Sequence, residues 1–233
     1  MVTWVKKMDS FVFIQEQLLP SLLEGTSVTI KLILLSIPFG LLTGIIVAVG
    51  RVYGNKPISM ICRLYVLFFK GCPLLLLLFM IYFGLPPIGI SLSPMAASVL
   101  GFVLCNGAYS SEYIRGAIQS VKIGQITAAE ALGMTRFQGV LYIILPQAFR
   151  RALPGVGNEI IYLIKYSSLA YMITCIELTG AGKIVAARFF RFTETFMVIG
   201  IIYLILVTIA TKLLNYAERK LYYPGMGPTS FKG

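Results

Sequence analysis

The feature that most constrains this chain is its series of long apolar runs. A helix needs about 20 residues to cross the hydrocarbon core of a bilayer. Five runs reach that length: about Val28 to Val49, Ile58 to Phe83, Pro94 to Ile118, Gly155 to Ile176 and Phe196 to Leu214. Phe11 to Leu23 is shorter and more mixed, and reads as an interfacial lead-in helix. Composition agrees, with 58% of the 233 residues hydrophobic, only 12% charged, and a mean hydropathy of +0.85. A water-soluble protein so poor in charge could not cover its surface. Lipid offers no partners to backbone polar groups, so such runs are expected to be helical. The expectation is an all-α integral membrane protein. It has one transmembrane domain over 1–233, with a lead-in at 1–25, a polar segment at 119–150 and a tail at 215–233.

Charge sets the expected direction. The net charge is +11, and the basic residues gather between the apolar runs. Arg51, Lys56 and Arg63 follow the first run. Arg115, Lys122, Arg136, Arg150 and Arg151 accompany the polar segment, and Lys212, Arg219 and Lys220 close the fifth run. The positive-inside rule makes this side cytoplasmic. The stretch Gly84–Ser93 carries no charge and falls outside. Lys183, Arg188 and Arg191 run against the pattern. The balance predicts the N-terminus outside and the C-terminus inside. No compact basic module of a nucleic-acid binder is present.

The chain has no histidine, which removes Ser-His catalysis and HExxH zinc chemistry together. Cys62, Cys72, Cys105 and Cys175 sit in apolar stretches without a CxxC pair and read as small core residues. Met1–Leu23 lacks the pattern of a cleaved signal peptide, so none is expected. Gly40 and Gly44 form a GxxxG pair suited to close helix approach. Pro38 and Pro73 favour kinks. Lys70-Gly71-Cys72-Pro73 combines a charge, a flexible residue and a helix breaker, and reads either as a kink or as a broken helix lining a pathway.

The most informative stretch is Gly124–Gln138. Thr127 and Glu130 match a capping box, and Thr135 and Gln138 match it again. Gly133 between them suits the left-handed residue that ends a helix. The spacing predicts a short helix from about Ala128 to Leu132, a turn at Gly133, and a second helix from about Arg136. Pro146 disfavours continuation, with Leu145 before it biased away from helix. Such a pair reads either as local packing on the spans or as a docking surface for a cytoplasmic partner.

These residues resemble the EAA loop of permease subunits in ATP-binding-cassette importers. That pattern is EAA, three residues, Gly, nine residues, then Ile-x-Leu-Pro. Ala128-Ala129, Gly133 and Ile143-Ile144-Leu145-Pro146 fit it, with Thr127 where the family has glutamate. The polar amino-acid branch is the nearest match. Phe69-Lys70-Gly71-Cys72-Pro73-Leu74 resembles its FRGTPL. Ala108-Tyr109-Ser110-Ser111-Glu112-Tyr113-Ile114-Arg115-Gly116 resembles AYxAEIxRG. Leu145-Pro146-Gln147-Ala148 resembles LPQA, and Asn158-Glu159 through Lys165-Tyr166-Ser167-Ser168-Leu169 resembles NExIxLLKxTSL. Glu177-Leu178 matches the EL that follows.

The resemblance implies a MetI-like permease fold of a type I importer in a prokaryotic inner membrane. It also implies a dimer with a second, identical or paralogous permease, a pair of cytoplasmic ATPases, and an external amino-acid-binding protein. No cofactor is expected on this chain. ATP and magnesium would belong to the ATPase, because Gly180-Ala181-Gly182-Lys183-Ile184 lacks the spacing and the Ser or Thr of a phosphate loop. Thr127, Ala128, Ala129, Glu130, Gly133 and Arg136 are the expected coupling residues. Polar residues inside a membrane are the default functional candidates. They give Glu159, Lys165, Asn106, Glu112 and Ser168 as substrate contacts, for the ammonium and carboxylate of an amino acid. Each can equally serve helix packing, and Glu112 can simply pair with Arg115. Asn158 and Lys165, seven apart, are expected to share a helix face. The rival reading is an ion-gradient-driven transporter or channel. A Ser167–Lys165 hydrolase is disfavoured because i, i+2 residues face apart.

Overall fold

The structure, a computed structural model, describes residues 9–221, all helix and connecting turns. The outer ends of the expected lead-in and tail, 1–8 and 222–233, lie outside the described residues. Helix α1 spans Ser10–Tyr53, α2 Lys56–Gly71, α3 Leu74–Tyr82 and α4 Pro94–Ser120. Helix α5 spans Gly124–Ala131, α6 Arg136–Ile173, α7 Leu178–Phe189 and α8 Phe192–Leu221. By length and composition α1 and α8 can each cross a membrane alone. The bent pairs α2/α3 and α6/α7 raise the number to four. Helix α4 has 27 residues, about 40 Å at 1.5 Å per residue, long enough to cross. It is too polar to qualify by composition, because its polar side chains face protein.

Several expected boundaries move. The lead-in is not a separate helix: α1 runs unbroken for 44 residues, about 66 Å against roughly 30 Å of hydrocarbon. Pro20 would ordinarily break it. A π-helical turn at Phe13–Leu18 precedes the proline, and Leu19 N–H donates to Ile14 O five residues back. The widened turn relieves the clash of the proline ring with the preceding turn. The same solution operates in α6. The break expected at Leu145-Pro146 does not occur, because a π-helical turn at Gly139–Ile144 lets Leu145 N–H donate to Val140 O. The expected fourth span therefore starts inside a helix that begins at Arg136. The fifth also lengthens, so the first residues assigned to the tail, Asn215–Leu221, are still helix.

The second run is a broken helix, bent by 103° between α2 and α3 at Cys72-Pro73. Asn55 caps α2 by accepting from Ile58 N–H at 3.1 Å.

Helix α4 is the centre of the bundle, packed on α1, α2, α3 and α6. The GxxxG pair explains its closeness to α1. A Cβ at Gly40 would stand 2.7 Å from Asn106 Oδ1, and one at Gly44 3.0 Å from Ser110 Cβ. Three apolar clusters hold the fold. One joins Leu32, Leu78, Phe102 and Ile173; a second joins Ala48, Ile114, Ala148 and Val156; a third joins Phe13, Leu22, Leu178 and Ile199. Only 6% of the most apolar α8 window is buried, so Ile201, Leu204, Ile205 and Ile209 are left to lipid.

The third cluster surrounds a buried polar knot. Glu177, fully buried, caps α7 by accepting from Gly180 N–H at 2.8 Å and Thr179 N–H at 2.9 Å. Tyr203 of α8 donates to it at 2.9 Å. Thr29 of α1 accepts from Leu178 N–H at 3.2 Å. The Gly180-Ala181-Gly182 run that mimics a phosphate loop is packing: Gly180 lies on the Tyr171 ring, Ala181 on Gly25, and Gly182 on Ile199.

Candidate functional site

Between the α2/α3 break, α4 and α6 lies a cavity of about 480 Å³. The break makes it, because a continuous helix would carry Lys70 and Leu74 along one axis rather than around a rim. Lys70, Gly71, Cys72 and Pro73 form that rim. Cys105, Asn106 and Tyr109 come from α4, and Glu159, Tyr162 and Tyr166 from α6. Asn106 is 5% exposed and Glu159 9% exposed. Asn106 Oδ1 accepts from the Ser110 hydroxyl at 3.3 Å, which leaves its amide nitrogen for the cavity. The Glu159 carboxylate and the Lys70 ammonium border the same cavity. That ammonium also stands 5.5 Å from the centre of the Tyr109 ring. The cavity thus offers one carboxylate, one ammonium, an amide and aromatic faces, the set that a zwitterion with a variable side chain needs.

Of the sequence candidates, Asn106 and Glu159 are brought together here and three are not. Lys165 is exposed and stands over the Tyr162 ring at 4.4 Å, outside the cavity. It lies six residues from Glu159, which turns its side chain about 120° away around the helix. Ser168 turns back to Lys165 O at 2.9 Å. Glu112 is held at 2.5 Å by Arg51 and at 2.8 Å by Arg115, so the internal pairing is what the structure shows. Asn158 and Lys165 do share an exposed face. Ser167 donates to Ile164 O at 2.7 Å and forms no dyad with Lys165. Lys70 belongs to the Lys70–Pro73 segment that the sequence reads as either a kink or a broken helix lining a pathway, but neither it nor the tyrosines were named there as substrate contacts.

The polar segment folds in two pieces. Gly133 adopts φ +83°. Gly133 N–H donates to Glu130 O at 3.0 Å and Met134 N–H to Ala129 O at 3.1 Å, a Schellman closure. Thr135 and Gln138 form the capping box, with Thr135 N–H donating to Gln138 Oε1 at 2.8 Å and Gln138 N–H to Thr135 Oγ1 at 3.3 Å. Thr127 does not cap. Helix α5 starts earlier, at Gly124, and the Thr127 hydroxyl bonds within it to Ile123 O at 3.4 Å. The tight turn after Ser120 leaves Gly124 free to begin the helix. Ala129 alone of α5 is buried, while Thr127, Ala128, Glu130 and Arg136 are exposed. Ile123, Leu132 and Phe137 are bare, at 82%, 83% and 74% exposure. Arg151 fixes the segment's root by donating to Ser120 O at 2.6 Å.

The structure is an all-helical bundle with a cavity between its helices and two short, largely exposed helical pieces on one face. Residues 40–221 match the family of binding-protein-dependent transport system inner membrane components, and the chain belongs to that family. It is 35% identical over 208 residues to the probable amino-acid permease protein YxeN of Bacillus subtilis, covering 88% of this chain and 93% of that protein. It is 32% identical over 205 residues to the glutamine transport system permease protein GlnP of Escherichia coli, covering 87% and 94%. The crystal structure of an amino acid ABC transporter with histidines superposes with TM-score 0.81 at 33% identity, covering 92% of this chain and 99% of that one. The MetNI methionine transporter shares the fold, with TM-score 0.76 at 21% identity. The chain is the membrane permease of an ATP-driven amino-acid importer, and ATP hydrolysis belongs to a separate subunit.

Proposed function

We propose that the cavity at Asn106 and Glu159 is the intramembrane station through which an amino acid passes. The observation that carries this is that Glu159 and Lys70, one carboxylate and one ammonium, both line a single largely apolar cavity between the helices. Glu159 takes the ammonium, Lys70 the carboxylate and Asn106 orients the backbone end. The side chain rests among Tyr109, Tyr162 and Tyr166. Nopaline, glutamine and arginine systems stand among the relatives, which supports polar amino acids as the substrate class.

The working unit is this permease with a second one, identical or paralogous, because the cavity is bordered on one side by the exposed α6 residues Tyr162 and Tyr166. An extracytoplasmic amino-acid-binding protein delivers substrate. Helix α5 and the Gly133 turn seat in a cytoplasmic ATPase, with Ile123, Leu132 and Phe137 as apolar contacts and Glu130 and Arg136 as charged ones. Nucleotide and magnesium stay on that ATPase. Closure of the ATPase pair moves α5 and switches the bundle between inward- and outward-facing states. The bundle crosses an inner membrane five times once α4 is included, with the α5 face cytoplasmic and the N-terminus outside. The basic residues at the Tyr53 end support this. Of the opposing charges, Lys183 lies over Tyr171 and Arg191 over Phe13, at 5.0 Å each.

The test is uptake of labelled glutamine and arginine by the reconstituted complex carrying Glu159→Gln or Asn106→Leu. Uptake drops at least tenfold while the complex still assembles. Unimpaired uptake in both variants removes the cavity from the pathway.

A further inference from the structure

A second cavity, of about 620 Å³, lies on the α5 side of the first and shares Lys70 and Gly71 with it. Its polar lining is Arg51, Arg63, Lys70 and Glu112, backed by Leu64 and Leu67. Three cations therefore face one carboxylate. That carboxylate is already committed on both oxygens, Oε1 to Arg51 at 2.5 Å and Oε2 to Arg115 at 2.8 Å. Arg63 enters no ion pair among the described residues. The buried Nε of Arg51 has no hydrogen-bond partner there either. The groove is short of anion, and its apolar walls focus the resulting field.

We infer that this groove is a second, carboxylate-binding subsite on the cytoplasmic side of the central cavity, entered by way of Lys70. The inference rests on the amino-acid pathway proposed above and adds its next station. Of the two charges common to every free amino acid, the α-ammonium and the α-carboxylate, only the carboxylate suits a groove lined by Arg51, Arg63 and Lys70. Lys70 borders both cavities, so it can hold that carboxylate while the other end of the molecule moves. In the central cavity Glu159 holds the ammonium. In the groove the only carboxylate is occupied, so the ammonium has no fixed partner and returns to water. The central cavity holds both charged ends of the molecule and the groove only one, which makes the groove a release station rather than a second tight site.

The subsite has a test that does not depend on which amino acid is carried. Cys72 lines the central cavity beside Lys70. Its labelling by an anionic sulfonatoethyl methanethiosulfonate and by a cationic trimethylammonium analogue is followed peptide by peptide in the nucleotide-free complex. Arg63→Gln removes an exposed cation with no ion-pair partner, so the fold is spared. Lys56→Gln, one heptad earlier on the same helix and outside the groove, is the control. The anionic-to-cationic rate ratio falls roughly threefold in R63Q, as expected for one charge at the ~13 Å rise of nine helical residues, and stays level in K56Q. An unchanged ratio in R63Q, or an equal fall in K56Q, overturns the subsite. In uptake by proteoliposomes of the same complex, R63Q lowers the maximal rate for glutamine or arginine without altering half-saturation by the binding protein. If the wild-type complex transports nothing while the labelling ratio behaves as stated, the groove stands and the importer pathway falls.

Discussion

Replacing Gly133 separates backbone conformation from packing at the docking segment. The residue has φ +83°, and a Cβ built there meets nothing within 4 Å. A side chain is therefore not excluded by space; it is opposed by the left-handed backbone alone. That costs an L-residue about 1–2 kcal/mol, a factor of about 5–30 in the population of the turn. Alanine stands near the lower figure. Valine, branched at Cβ, stands above it, and asparagine, which tolerates this region, below it. The turn fixes the angle between α5 and α6, so with α5 seated in the ATPase as proposed its population is expected to set the fraction of complexes in which ATPase motion reaches the bundle. The assay is substrate imported per ATP hydrolysed by the reconstituted complex. The order wild type, G133N, G133A, G133V from high to low is expected, with unchanged membrane insertion. Equal coupling ratios for G133N and G133V would refute the argument, since the two differ chiefly in their tolerance of that backbone.

Two further predictions concern assembly. Glu177→Ala strips the acceptors from Thr179 N–H, Gly180 N–H and the Tyr203 hydroxyl, which costs about 3 kcal/mol or more for buried donors left unpaired. The thermal midpoint in detergent falls sharply, less so for Glu177→Gln, and an unchanged E177A midpoint contradicts the knot. Gly155→Ala pushes a Cβ into the Tyr113 ring, a clash worth about 1–3 kcal/mol. Adding Tyr113→Ala recovers part of that loss in the same melt, and strict additivity of the two changes rules the contact out.

What could be read from the chain was what chemistry fixes locally. The left-handed turn at Gly133 and the Thr135–Gln138 capping box each depend on residues within one turn, and both are present. The GxxxG pair was legible as close approach, though its partner, Asn106 to Ser110 on α4, was not. The two π-helical turns were not legible. Proline predicts a break, while the wider turn that spares the helix at Pro20 and Pro146 has no residue signature of its own. Thr127 met the capping pattern but lost to an earlier start at Gly124. The candidate site was half legible. Asn106 and Glu159 stood out as polar residues in apolar runs, yet so did Lys165 and Glu112. Only the bundle decides that Lys165 points elsewhere and Glu112 is already paired.

The most direct test of the central claim is uptake of labelled glutamine and arginine into proteoliposomes. They hold this permease with its partner permease and ATPase, with the binding protein and substrate on one side and nucleotide on the other. ATP on the ATPase side drives uptake, and an ion gradient without ATP drives none. Uptake sustained by an ion gradient, with the ATPase absent, would contradict the account.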